Sequence, residues 1–496
     1  MVTDTAMLPR TMLRGIAPSQ KDESDRASLI TLKVFVLALV LLQRFTIPAS
    51  LTAGSKLSIM VPITLVVLGI LAVRGYMVAD LARTGLYLAA VALCLLTTLL
   101  AASTEGLQPS FNSLIVLVAI YVPLCFRLTS AMRSRFPEIL QFFQKIMVFA
   151  AAACVFQYAT QAVGITYDDI LRGIPPDFVY TKDEYNLFYP MFYGSPIQKA
   201  NGYLFLEPSF TSQFLALAII VQVLLGGKRW RLVLFGAGLI ATVSGTGILL
   251  LAVGLAVIAA RRGSQWAIRA VVAAAAAAVV VLLTPAGPVL LERAGETSEP
   301  GSSGNIRFVT PYTNVASAVA RDQGALWIGR GAGAVDRDAA FFNPSGVDVN
   351  YAAFPKLVGE YGLPAALVFS AFVLTVIFWR TPSPTLGVAA FLVYFVLSGS
   401  LVQPQTVYLC WLFTGLFAAA GAAGSNRGRR YYHVQPPGSV YRSLMPPPVP
   451  PPVQRIPAPA PIGAASDESS GHRTMRMDIG QTNGNGSSPG PHGPSW

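Results

Sequence analysis

Two glutamates and a handful of arginines are the residues of this chain best placed to do chemistry. Glu207 stands beside Pro208 in GYLFLEPSFTS, and Glu360 lies in KLVGEYGLP; each opens a long apolar run. A carboxylate there is favoured by the positive end of the following helix, and it is costly at membrane depth unless it faces a polar cavity. Both are therefore candidate catalytic acids or bases. Arg307, Arg321, Arg330 and Arg337 fall in the polar stretch between them. Guanidinium forks bind two oxygens at once and stay charged, which suits a diphosphate. Arg172, Lys182 and Lys199 sit among acidic and aromatic residues in a shorter polar stretch, and Arg44 and Lys56 flank an early turn. Anion contact and snorkelling to lipid headgroups both account for that last pair. The tyrosines of the shorter stretch fit either a sugar-stacking surface or a membrane-interface belt.

Other patterns carry less. GRGAGA at 329–334 has the look of a phosphate-cradling loop but lacks the Gly-Lys-Ser/Thr ending, and it reads as a turn. Asp336-Arg337-Asp338 matches a short metal-binding pattern too common to build on, so no metal and no cofactor are expected. The three histidines, His433, His472 and His492, all lie in the hydrophilic C-terminal segment, which removes imidazole chemistry from the rest of the chain. Cys94, Cys125, Cys154 and Cys410 fall inside apolar runs without a CxxC pair, leaving disulfide and zinc readings unsupported.

The elements that must position these residues are helices in a membrane. Charged residues make up 12% of the chain, against about 25% in soluble domains, and the mean hydropathy is +0.54. The net charge of +12 is concentrated at the ends of apolar runs, where it reports topology rather than nucleic-acid binding. Runs near 29–49, 57–73, 85–102, 112–126, 139–163, 208–225, a pair within 231–260, 266–283, 357–379, 386–401 and 407–423 predict an all-α polytopic protein of about twelve helices. Within the pair, Ser244-Gly245-Thr246-Gly247 supplies a turn, so two short helices are expected rather than one long one. Basic clusters place both termini on the cytoplasmic side and the loops 164–207 and 284–355 outside. The chain divides into a polar N-terminal segment, 1–28, a membrane domain, 29–423, and a tail, 424–496, whose proline run and low-complexity end predict disorder.

GYLFLEPSFTSQFLALAI, VSGTGILLLAVGLA, Arg307 followed by ALWIGRGAGA, and NYAAFPKLVGEYGLPAALVF occur in an order that resembles the O-antigen polymerase and ligase superfamily of bacterial inner-membrane proteins. The resemblance covers about 199–370, and the helix layout extends it to 29–423. It implies glycosyl transfer between undecaprenyl-diphosphate-linked oligosaccharides at the periplasmic face. Arg307, Arg321 and Arg330, with Arg44 and Arg172, would hold the diphosphate, and Glu207 or Glu360 would serve as base. The implied partners are the lipid-linked oligosaccharide, the bilayer and a chain-length regulator. Where ligases of the superfamily carry His-Asn, this chain has Val349-Asn350, so a polymerase is expected ahead of a ligase. A lipid-linked oligosaccharide flippase is the alternative of another class; the long outer loop and the lack of an internal repeat count against it.

Overall fold

The computed structural model describes residues 20–51, 56–182, 184–191, 194–263, 265, 303–343, 349–398 and 401–420. The run expected at 266–283 and the tail expected to be disordered lie outside the described residues, as do residues 1–19.

In chain order the helices are α1 (Gln20–Leu41), α2 (Met60–Val73), α3 (Leu81–Ala102), α4 (Phe111–Tyr121), α5 (Ser130–Arg133), α6 (Phe136–Ala162), α7 (Pro208–Leu225), α8 (Arg229–Ala241) and α9 (Gly245–Arg262). They are followed by α10 (Ser303–Phe308), α11 (Thr310–Arg321), α12 (Gly324–Ile328), α13 (Ala334–Arg337), α14 (Ala339–Phe342), α15 (Ala353–Phe378), α16 (Pro384–Phe391) and α17 (Pro404–Phe413). Two antiparallel ribbons tie loops together: β1 (Thr46–Ile47) pairs with β2 (Leu57–Ser58), and β3 (Met77–Ala79) with β4 (Phe126–Leu128). Among the described residues, α3, α6, α7, α9 and α15 are long and apolar enough to cross a membrane.

Several expected spans are shorter as helices, for local reasons. Pro123 cannot continue α4, which tightens into a 3₁₀ turn over Val122–Cys125. The run expected at 386–401 passes from α16 into a π-helical turn, Leu392–Leu397, and ends at an extended Ser398. α1 behaves oppositely: it starts at Gln20, ahead of the apolar run, and Tyr76 beside β3 donates to Asp25 in its polar first half.

α7 is the central helix, enclosed on nearly all sides by α6, α8 and α9. An apolar helix without a polar face belongs in such a position. Its N-terminus is set by Pro208 at the first helical position and its C-terminus by Gly226 in the left-handed region. α8 and α9 form the expected pair of short helices. The chain reverses at buried Val243 (φ 44°), a conformation costly for a β-branched residue. The tip then docks on α7: a Cβ at Gly247 would overlap the Ser212 backbone.

α15 packs along α3 and is kinked at Gly362 (φ 76°), two residues before Pro364. Basic residues gather where β3 and β4 lie. Arg83, fully buried, donates to the carbonyls of Gly415 (2.8 Å) and Trp379 (3.5 Å). Arg127 pairs with Asp80 at 3.3 Å, and Arg133 donates to the Ala418 carbonyl at 3.2 Å. The cluster read from sequence as topology information thus also closes helix ends.

Candidate active site

The entry to α7 brings together residues that the chain holds far apart. Glu207 is its N-cap residue, extended (φ −148°, ψ 158°) and 4% exposed. Glu207 Oε2 accepts from Ser209 Oγ at 2.8 Å and from Arg307 Nη2 at 3.1 Å, and the same Nη2 lies 3.4 Å from Ser209 Oγ. Asn186 N–H approaches Glu207 Oε1 at 3.5 Å. A buried carboxylate needs this charge partner and these donors, and the helix N-terminus adds its own positive field. Arg307, on α10, keeps 21% of its side chain exposed. Among the described residues its hydrogen bonds run through Nη2. One nitrogen of the guanidinium is thus fixed by a buried carboxylate.

A row of hydroxyls continues inward. Ser212 Oγ meets Thr246 Oγ1 at 3.2 Å, and Thr246 Oγ1 meets Ser244 Oγ at 3.1 Å. Ser212 Oγ also donates to the Ser209 carbonyl at 2.7 Å. The Ser-Gly-Thr-Gly tip expected to make a turn therefore also braces the helix end that carries Glu207.

Glu360 belongs to a second cluster, at the start of α15. It is 3% exposed, and its Oε1 has no hydrogen-bond partner, with Lys356 Nζ 3.9 Å away. Lys356 Nζ donates to Asp336 at 2.6 Å. The glycine-rich turn sits directly above. Gly331 N–H donates to the Glu360 carbonyl (2.8 Å) and Arg330 N–H to the Gly359 carbonyl (3.0 Å). Gly329, Gly331 and Gly333 all have positive φ. A Cβ at Gly329 would overlap the Glu360 carbonyl, and one at Gly362 the Trp327 carbonyl. Here glycines permit two backbones to touch, which is a packing use of the GRGAGA pattern.

The remaining arginines are distributed as follows. Arg330 bridges Asp322 (3.2 Å) and Asp338 (3.1 Å) and lies over the Phe341 ring, 3.8 Å from its centroid. Arg321 donates to the Phe341 carbonyl and lies over the same ring. Arg337 donates to the carbonyls of Ala332 (2.7 Å) and Gly333 (3.2 Å), closing the glycine-rich turn. Asp336 and Asp338, the two carboxylates of the candidate metal pattern, face Lys356 and Arg330 respectively.

Arg44, 1% exposed, forms a two-pronged bridge to Asp169, both bonds at 2.6 Å, and donates to the Tyr203 carbonyl at 3.3 Å. Burial opposes the Asp169 charge. The bonds from Arg44 and the Leu171 N–H, with the Arg44 charge, outweigh it and hold the carboxyl below its usual range. Lys56 reaches Glu184 at 2.8 Å and the Val179 carbonyl at 3.1 Å. Basic residues in that first turn thus fasten it to the 164–207 loop. Arg172 pairs with Asp168 at the exposed edge of the same loop.

Of the seven residues to which the resemblance gives a role, the structure joins Glu207 to Arg307. Glu360 and Arg330 meet through the glycine-rich turn, with Arg321 beside Arg330 over Phe341. Arg44 and Arg172 stand in the first loop. Sequence reasoning passed over Ser209, Thr246 and Lys356. Lys356 had a signal, its helical i,i+4 spacing to Glu360. Thr246 had none beyond its place in a turn.

A family model described as WcaD colanic acid polymerase matches residues 31–419, from α1 to beyond α17. A search of curated proteins returns no match.

Proposed function

The chain belongs to the WcaD colanic acid polymerase family, and we propose that it joins undecaprenyl-diphosphate-linked oligosaccharide repeat units of an exopolysaccharide or O-antigen by glycosyl transfer at the periplasmic face. The observation that carries this reading is the Arg307–Glu207 pair at the mouth of α7. An acceptor hydroxyl attacks the anomeric carbon of the donor, the bond from that carbon to the diphosphate oxygen breaks, and the lipid diphosphate leaves with the electron pair. Arg307, preorganised by Glu207 and Ser209, stabilises the charge that develops on the leaving group. A carboxylate takes the acceptor proton, a role that this scheme gives to Glu207. The donor is already activated by its diphosphate, so neither nucleotide nor metal enters the scheme. Arg321 and Arg330 order the wall of the second loop, with Glu360 beneath it, and Arg44 orders the first loop.

This reading sets the protein in the bacterial inner membrane with both termini cytoplasmic, the tail after Gly424 among them, and the loops 164–207 and 284–355 periplasmic. The gathering of Arg83, Arg127 and Arg133 near Trp379 and Gly415 supports that orientation. A chain-length co-polymerase is the protein partner it entails.

Deleting the gene tests the reading. Single lipid-linked repeat units should accumulate, exposed to enzymes added outside the cytoplasmic membrane. Accumulation on the cytoplasmic side would instead identify a flippase and overturn the proposal.

A further inference from the structure

We propose that Tyr203, with Tyr167 and Phe188, forms an aromatic shelf on which a sugar ring of the substrate lies, Tyr203 being its specificity-determining residue; this rests on placing the reaction at Glu207 and Arg307.

The turn Asn201-Gly202-Tyr203 runs just ahead of Glu207. Gly202 (φ 61°) and Tyr203 (φ 65°) are both left-handed. Glycine adopts that region freely, whereas a bulky side chain is held there at a cost. Such a residue persists only where its surroundings over-determine it, and such residues gather at ligand sites. The surroundings here are specific. Gln157 Oε1, on α6, accepts the N–H groups of Asn201 (3.1 Å) and Gly202 (2.9 Å). Asn201, fully buried, accepts the Tyr203 N–H on Oδ1 at 3.0 Å. Arg44 donates to the Tyr203 carbonyl at 3.3 Å.

What this effort holds in place is a row of rings. The Tyr167 ring lies 5.6 Å from that of Tyr203 between centroids, and the Phe188 ring 5.1 Å from that of Tyr167. Tyr167 Oη donates to the same Asn201 Oδ1 at 3.2 Å, which fixes the second ring. All three residues keep part of their surface exposed. The shelf is tied to the reacting carboxylate twice. Asn186 directs its N–H at Glu207 Oε1 (3.5 Å), the Leu187 carbonyl accepts from Asn201 Nδ2 (3.4 Å), and Phe188 comes next in the chain. Thr211 Oγ1, in the first turn of α7, lies within hydrogen-bond distance of the carbonyls of Asn201 (3.2 Å) and Glu207 (3.0 Å).

The chemistry of the shelf says which ligand. Its rings carry no charge, and the neighbouring ions face one another: Arg44 pairs with Asp169 and Arg172 with Asp168. A diphosphate would want the cation at Arg307. A sugar ring presents a face of C–H groups that an aromatic ring shields from water, while its hydroxyls stay at the edge. Asp168, next to Tyr167, and its partner Arg172 are both exposed. Solvated charges of this kind do not belong in hydrocarbon, so the shelf faces an aqueous ligand rather than a lipid tail.

The test uses full-length protein in nanodiscs, titrated with two probes: undecaprenyl diphosphate, and the lipid-linked repeat unit extracted from cells lacking the gene. Tyr203→Gly removes the ring and relieves the backbone, so it should melt close to wild type. It should bind the sugar-bearing probe about tenfold more weakly, the scale of losing burial on one apolar ring face, and the sugar-free probe within about twofold of wild type. Tyr203→Phe keeps the ring and should bind both probes as wild type does, whereas Arg307→Ala should weaken both. Undiminished binding of the sugar-bearing probe by Tyr203→Gly overturns the inference, as does Tyr203→Phe losing as much as Tyr203→Gly. Equal losses for both probes in Tyr203→Gly overturn it too and make the shelf a lipid-facing belt. Should Tyr203→Gly fail to fold by thermal melting, Tyr203→Asn, whose side chain tolerates the left-handed region, decides by the same comparison. If wild-type protein binds neither probe, the functional reading fails and this inference with it; if wild type binds both and the variants do not discriminate, this inference alone fails.

Discussion

Arg307 and Glu207 are a hundred residues apart in the chain, yet Nη2 of one lies 3.1 Å from Oε2 of the other at the buried mouth of α7. The pair couples the second polar loop to the central helix. Removing the cation should leave a buried carboxylate uncompensated and the leaving diphosphate without its donor. Arg307→Ala is expected to lower polymer formation by about a hundredfold or more, the scale of losing one preorganised donor. Arg307→Lys, which keeps charge but not the fork, should recover only part of it. Polymer on gels, normalised to membrane-inserted protein, measures this; near-normal polymer from Arg307→Ala would remove it from the mechanism.

The glycine-rich turn gives a prediction about folding rather than chemistry. Gly329→Ala and Gly362→Ala each place a Cβ where a backbone carbonyl stands and force a residue with a side chain to positive φ. Each should destabilise the protein by about 2 kcal/mol or more. Gly236, on α8, has open space at its Cβ, so Gly236→Ala should be neutral or mildly stabilising. Thermal melting in detergent separates the three, and equal melting temperatures would refute the backbone contact.

Arg337 faces carbonyls of that same turn rather than an open site. Arg337→Ala should cost about 1 kcal/mol of stability while activity per folded molecule stays near wild type. A loss of activity as deep as that of Arg307→Ala would contradict the division of labour among the loop arginines.

The Arg44–Asp169 clamp carries a pH dependence. The Asp169 carboxyl is held below its usual range in the folded chain despite its burial, because the Arg44 bonds and charge outweigh that burial. The folded state therefore binds this proton less readily than the unfolded one. The clamp's contribution is complete above the ordinary carboxylate range near ~4 and is lost as pH falls through the depressed folded value. Asp169→Asn should melt below wild type at pH 7, and the gap should narrow on acidification. A gap that stays constant down to the acid limit would show that the bridge does not supply the difference.

The orientation is open to a direct check. Reporter fusions at Gly304, three residues before Arg307, and at Gly263, which ends α9, should report opposite sides of the membrane. The same side for both would move the Arg307 loop into the cytoplasm and end the proposed scheme.

Much of the helix order was legible because uncharged runs of spanning length have few other fates. α7 could be bounded almost to the residue, since Glu207-Pro208 opens it and Gly226 closes it, and both signals are local. Ser244-Gly245-Thr246-Gly247 marked the hairpin for the same reason. Illegible were the relations that close over distance. Nothing near Arg44 announces Asp169. The break between the runs 386–401 and 407–423 was legible, but not the π-helical turn at Leu392–Leu397 that ends the first of them early. The GRGAGA run was legible as a turn, but the backbone it touches belongs to another motif. The site residues themselves were chosen by charge and position, and the structure sorts them by partner: Arg307 with a carboxylate at a helix mouth, Arg330 between two aspartates, Arg44 inside a loop.

The seating of Gly329 and Gly331 on the backbone of α15 has a practical consequence for building hybrid proteins. The second loop is not a cassette. Its glycines and the kink at Gly362 are two halves of one joint, so a loop transplanted from a relative into this scaffold would arrive without its socket. Chimeras meant to exchange sugar preference should move residues from 303 through the α15 kink as one block, and those cut at the helix boundary near 352 should fail to accumulate in the membrane at all.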